Sequence, residues 1–203
     1  MIVGITGGIG SGKSALAQEL VRRGYVVYDC DREAKRIITE NKEVQAAIIA
    51  LLGDEAFVNG IYNTAYVAQR VFAEPALLQA LNAIVHPKVK EDILAKSEKQ
   101  STFAYFFIES AILFEAGFDE LCVRIFIIDA PEEVRIRRVL ARDYNSEATE
   151  ENINKVRARM KAQQSAFNHP YSDNKKATVI INDGQIPLFM LADQLVGWGM
   201  AQY

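Results

Sequence analysis

The chain has 203 residues, half of them apolar and 24% charged, and 23 Lys and Arg set against 26 Asp and Glu leave a net charge of −3. That is chain enough for one α/β-sized core with an inserted subdomain, and the balance lacks the basic stripe that sequence-independent nucleic-acid binding requires. The apolar opening run is too short for a secretory leader, no stretch approaches the ~20 residues of a membrane helix, and two cysteines without metal-type spacing suit a reducing compartment, so a cytoplasmic protein with neither a membrane nor a nucleic-acid partner is expected.

In chain order, five β-branched or aromatic runs stand out: Ile2–Thr6, Tyr25–Tyr28, Phe103–Ile108, Val123–Ile128 and Thr178–Ile181. Each is nearly continuous in apolar character, as strands buried on both faces of a parallel sheet are. Helix-period segments lie between them, which predicts a doubly wound α/β fold. Two gaps are longer than one crossover helix needs. The first, Asp31 to Gln100, has helical spacing at Ala34, Ile37, Ile38, Ala47, Ile48, Leu51 and Leu52, a glycine-marked turn near Gly53 and Gly60, and a second helix around Tyr66–Leu81 leading to the helix-breaking pair His86-Pro87. The second opens at Pro131-Glu132-Glu133, a helix start. Arg135, Arg138 and Arg142 then fall on one helical face, and a further helix is predicted from Thr149 to Gln164. His169-Pro170 reads as a loop.

Directly after the first strand comes Gly7-Gly8-Ile9-Gly10-Ser11-Gly12-Lys13-Ser14, a full Walker A pattern between a predicted strand and a predicted helix. Its glycines let successive amide N–H groups converge on phosphate oxygens, and the helix that follows adds the positive end of its dipole. Lys13 brings a point charge to the β- and γ-phosphates, and the Ser14 hydroxyl is a ligand for Mg²⁺. A GTPase would carry Asp-x-x-Gly and Asn-Lys-x-Asp, and neither occurs. Chain length and a basic helical excursion fit a small-molecule kinase whose arginine-bearing lid closes over ATP.

Asp29-Cys30-Asp31 ends the second strand, on the side where ligands bind in parallel sheets. Asp31 is either the base that takes a proton from an attacking hydroxyl or the N-cap of the next helix. Glu109 and Glu115, after the third strand, either hold Mg²⁺ through water or form structural ion pairs. The arginines are either a solvated face or the forked donors that match phosphate oxygens. His86 either touches a substrate phosphate or is structural, and Asn182-Asp183-Gly184 either neighbours adenine or is a turn. Cys30 and Cys122 are packing residues.

The opening Gly4-Ile-Thr-Gly-Gly-Ile-Gly-Ser-Gly-Lys-Ser14, with Asp29-Cys30-Asp31, resembles the dephospho-CoA kinase family. The match runs on through Arg70-Val71-Phe72, Ile84-Val85-His86-Pro87, Leu113-Phe114-Glu115, Arg138-Val-Leu-Ala-Arg142-Asp143, Arg159-Met-Lys-Ala-Gln163 and Val179-Ile-Ile-Asn182-Asp-Gly184. The resemblance implies a P-loop-type sheet of about five parallel strands, a helical acceptor-binding insertion at 31–100, a helical lid at 138–171, and a nucleotide core at 1–30, 101–137 and 172–203. It implies ATP as donor, Mg²⁺ as cofactor, and the ribose 3′-hydroxyl of dephospho-CoA as acceptor. The residues then expected at ATP are Gly8, Gly10, Ser11, Gly12, Lys13, Ser14, Ala15, Arg138, Arg142 and Asn182. Asp31, Lys13 and Arg142 are expected to be catalytic, Asp31, Arg70 and His86 to bind the acceptor, and Ser14 to bind the metal. The chain departs from the family pattern at Ala111, Thr178 and the longer segment Gln164–Lys176. The residues by themselves also allow a kinase for another small acceptor, such as a nucleotide or nucleoside, and a non-catalytic NTP-binding regulator.

Overall fold

In the computed structural model, which describes residues 1–100, 105–166 and 175–200, the chain forms two compact units: Met1–Tyr28 with Ser101–Tyr203, and Asp29–Gln100.

The first unit is built on a five-stranded sheet of β1 (Ile2–Thr6), β2 (Val26–Asp29), β5 (Phe106–Glu109), β6 (Arg124–Asp129) and β7 (Ala177–Ile181), in the order β2-β5-β1-β6-β7. The pairs β1–β5, β1–β6 and β6–β7 are parallel. The central strand β1 is therefore flanked by strands met much later in the chain, and its carboxyl end opens where the winding changes direction, the usual ligand crevice of such sheets. Helices α1 (Lys13–Arg22) and α8 (Leu188–Met200) cover one face. Their Leu16, Leu20, Leu191 and Leu195 pack with Val3, Ile5, Phe107, Phe126, Ile128 and Ile180 from the strands. The inner strands β1, β5 and β6 are buried almost throughout, as their continuous apolar runs require, whereas Val26 on β2 and Val179 and Ile181 on β7 are exposed at the sheet edges. Helices α6 (Glu132–Asp143) and α7 (Glu150–Ala166) form a second cluster through Ile136, Val139, Leu140, Val156 and Met160.

The second unit contains α2 (Cys30–Glu40), α3 (Lys42–Leu52), the hairpin β3 (Phe57–Val58) with β4 (Ile61–Tyr62), α4 (Thr64–Ala73) and α5 (Pro75–Glu98). A charged knot ties α2 to α5. Glu33, 7% exposed, accepts from Lys96 Nζ at 2.6 Å and Arg36 Nε at 2.8 Å, while Arg36 also reaches Asp92 at 2.9 Å. Burial pushes the Glu33 carboxyl up, but the hydrogen bonds from Lys96 and Arg36 outweigh it and hold the group below its ordinary value.

Two expectations are corrected here. The predicted helix Tyr66–Leu81 is two helices, divided where Glu74 turns extended ahead of Pro75. His86-Pro87 does not break its helix: α5 runs through it, because Leu81, Val85, Val89 and Ile93 continue one buried stripe on both sides of the proline. The stripe holds the helix across the carbonyl that Pro87 leaves without its usual donor. The hairpin at Gly60 is an element the periodicity did not predict. The start of the Phe103–Ile108 run, His169-Pro170 and most of Gln164–Lys176 lie outside the described residues.

Pro87→Ala is expected to restore the lost helical hydrogen bond. An interior proline costs about 3 kcal/mol, partly offset by the freedom the unfolded chain regains, so unfolding in urea should show a gain of about 1–2 kcal/mol.

Candidate active site

The phosphate loop runs from the end of β1 into α1. Gly10 at φ 77° and Gly12 at φ 95° hold left-handed backbone where no side chain fits. A Cβ on Gly10 would come 2.6 Å from the Arg135 carbonyl oxygen, and one on Gly12 would collide with the Asn182 carboxamide. Gly8 packs just as closely on the Arg135 guanidinium.

A loop that turns its N–H groups inward toward phosphate turns carbonyls outward, and these need donors of their own. The donors come from α6 and from the end of β7. Arg135 Nε donates to the Ile9 carbonyl at 2.9 Å. Arg138 donates to the Ser11 carbonyl at 3.1 Å, to the Gly10 carbonyl at 3.4 Å and to the Asn182 carbonyl at 3.0 Å. Asn182 Nδ2 donates to the Ser11 carbonyl at 2.9 Å, and its own N–H is held by the Asp129 carbonyl at 2.7 Å. Asn182 is 5% exposed and Arg135 9%. Burial, reinforced by Arg137, pushes the Arg138 guanidinium below its ordinary value, yet an arginine stays charged.

Lys13, Ser14 and Ala15 form the first turn of α1. Lys13 Nζ lies 3.5 Å from Glu109 Oε1, and Ser14 Oγ donates to the same oxygen at 3.2 Å. Glu109 ends β5 and is buried, so this carboxylate stands at the loop, while Glu115 is exposed in the following turn. Arg142 is drawn aside. Its Nε donates to Asp143 Oδ1 at 2.6 Å, and Arg159 holds Asp143 Oδ2 at 2.7 Å. Both hydrogen bonds, Arg142 first, keep the Asp143 carboxyl well below the usual carboxylate range.

In the second unit, β2 ends at Asp29, whose side chain accepts from the Arg32 N–H at 3.0 Å and caps α2. The cap is Asp29 rather than Asp31, because α2 begins at Cys30, directly after the strand. Asp31 stands exposed in the first turn of α2. Arg70 lies over the Tyr66 ring, 6.0 Å from its centroid. His86 is half-buried on α5. Burial, then Lys90, lowers its imidazole below the ordinary value. Burial raises the Cys122 thiol to about 12, which leaves it inert and in keeping with a packing role.

Sequence alone leaves Glu109 between a magnesium role and a structural ion pair, puts Arg135 on one helical face with Arg138 and Arg142, and gives Gln163 no role of its own. Glu109 carried a signal in its position at the end of a core strand beside β1. Gln163 is marked only as the end of the matched run Arg159–Gln163, and its Oε1 accepts the Ile9 N–H at 2.7 Å.

The family model for dephospho-CoA kinase matches residues 1–187 of this chain. A dephospho-CoA kinase of Porphyromonas gingivalis is 40% identical over 163 residues, covering 80% of this chain and 77% of that protein. One from Bacteroides fragilis is 33% identical over 196 residues, covering 97% and 91%. The crystal structure of TT1252 from Thermus thermophilus superposes with a TM-score of 0.77 at 31% identity, covering 98% of this chain and 97% of that one.

Two outcomes test this geometry. Asn182→Ala, which takes one of two donors from the Ser11 carbonyl and the side-chain acceptor from Arg138 Nη2, should cost about 1–3 kcal/mol in chemical unfolding. Asp143 is a carboxylate with a lowered native value, so its ion pairs stabilise the fold above about pH 4 and stop doing so as the pH falls from there through the native value. The stability deficit of Asp143→Asn, measured by urea midpoint, should therefore shrink as the solution is acidified.

Proposed function

The chain belongs to the dephospho-CoA kinase family, and from that premise we propose how its own residues carry the reaction. The enzyme is an ATP-dependent kinase that phosphorylates the ribose 3′-hydroxyl of dephospho-CoA, giving CoA and ADP, the last step of coenzyme A biosynthesis. The observation that supports the residue assignments best is the phosphate loop with its outward carbonyls fully engaged.

In this reading the amides of Gly8, Gly10, Ser11, Gly12, Lys13, Ser14 and Ala15 hold the phosphates. Lys13 follows the charge that moves toward the leaving ADP. Arg138 and Asn182 act for ATP by holding the loop in shape, and Asn182 sits next to the adenine. Arg142 neutralises the transferring group once it exchanges Asp143 for phosphate. Asp31 takes the proton of the 3′-hydroxyl and orients its oxygen in line with the γ-phosphate, and Arg70 and His86 bind the acceptor. Residues 31–100 form the acceptor-binding insertion, 138–171 the lid, and 1–30, 101–137 and 172–203 the nucleotide core.

The donor set at the loop fits Mg²⁺. This hard cation takes one or two carboxylates or hydroxyls beside substrate phosphates and keeps several waters, and the Ser14 hydroxyl lies 3.2 Å from the Glu109 carboxylate. When bound, the ion screens the triphosphate charge. No helix among the described residues is long and apolar enough to cross a membrane. The cysteine usage supports a cytoplasmic location.

ADP formation with ATP, Mg²⁺ and a panel of acceptors tests the reading. Turnover is expected with dephospho-CoA, and turnover with nucleotides alone would overturn it. Lys13→Ala should lower kcat by at least about 10²-fold. Asp31→Asn should lower kcat by about 10²–10⁴-fold, the worth of a general base, with ATP affinity nearly unchanged; an unaltered kcat would make Asp31 a structural acid.

A further inference from the structure

Ile9, the third residue of the phosphate loop, is held at every group it carries. Its N–H donates to Gln163 Oε1 at 2.7 Å, and its carbonyl accepts from Arg135 Nε at 2.9 Å. Its side chain packs against the cluster of Ile136, Val139, Leu140, Val156 and Met160. Helix α6 supplies the carbonyl partner, α7 supplies the amide partner, and both supply the apolar wall. Val156, Met160 and Gln163 follow at helical spacing along one side of α7, so the wall and the hydrogen bond act together on a single loop residue.

The register of α7 passes on to the arginines. Arg159 on α7 holds Asp143 at 2.7 Å, and Asp143 holds Arg142 at 2.6 Å. A slip of α7 along the loop would carry this pair with it. The acceptor at Ile9 is also neutral. A carboxylate would accept the N–H as well but would set a negative charge beside a loop built for phosphate.

We propose that Gln163 is a positioning residue for phosphoryl transfer: by accepting the Ile9 N–H it locks α7 in register with the phosphate loop, and with it the Arg159–Asp143 pair from which Arg142 is released to phosphate. The proposal rests on the reading that this loop holds the ATP phosphates and that Arg142 meets the transferring group. Gln163 acts on the transfer step more than on nucleotide binding. The nucleotide is gripped mainly by the loop amides and Lys13, which keep their places, whereas transfer requires cations aligned within a fraction of an ångström.

Gln163→Met keeps the length of the side chain and removes the acceptor. It is expected to lower kcat by about 10–100-fold, the cost of a displacement near 1 Å, with KM for ATP within about threefold of wild type and ADP bound at full stoichiometry. Amide hydrogen exchange at Ile9, followed by mass spectrometry of the loop peptide without nucleotide, should be at least about tenfold faster. If the Met variant does not fold, Gln163→Ala, which also lacks the acceptor and adds no bulk, takes the same readings. An unchanged kcat, an unchanged loop exchange rate, or a rise in KM for ATP at constant kcat would each overturn the proposal. Failure of the functional reading would look different, since wild type would then form no ADP with dephospho-CoA.

Discussion

The structure turns on one backbone constraint. A peptide loop cannot aim consecutive N–H groups at an anion without aiming the intervening carbonyls the other way, and those carbonyls must be satisfied. Here the Ile9, Gly10 and Ser11 carbonyls are taken by Arg135, Arg138 and Asn182. The phosphate loop is therefore not a free ribbon between β1 and α1. It is bound from behind by α6 and by the residue that follows β7. Asn182 joins the arrangement to the sheet as well, since its N–H is bonded to the Asp129 carbonyl at the end of β6.

This constraint also explains how the basic residues are used. Eight of the 23 lie between Pro131 and Tyr171 against six acids, and such a segment reads as a positive face waiting for a triphosphate. Much of that charge is committed elsewhere. Arg135 and Arg138 serve loop carbonyls, Arg142 and Arg159 share Asp143, Arg157 pairs with Glu132, and Lys155 pairs with Glu151. The exposed pairs contribute little stability each, but they show that the local positive charge is largely neutralised within the protein itself.

What was legible in the sequence was local. The Walker A glycines announce their backbone angles, since no other residue type tolerates φ near +90° against neighbours this close. The strands are legible because continuous apolar runs of five or so residues have few other uses. Asp31 illustrates the opposite case. Whether Asp29 or Asp31 caps the helix depends on where β2 stops, and a strand boundary is set by pairing partners distant in the chain. Pro87 is a second case: its local rule says helix end, and the rule loses to a buried stripe that only packing reveals.

The sequence by itself determined the sheet-forming runs, the phosphate loop and, through matched motifs spread along the chain, the family. Only the tertiary structure decided which side chains stand behind that loop. Glu109 is brought to Lys13 and Ser14 because β5 lies beside β1 although about a hundred residues separate them in the chain. Arg138 turns to carbonyls while Arg142, one helical turn on, turns to Asp143. Gln163 reaches Ile9 across the fold. Residue spacing fixes what a segment prefers, whereas hydrogen-bond partners are fixed by distance in space, which a parallel sheet with crossover connections sets far from neighbours in the chain.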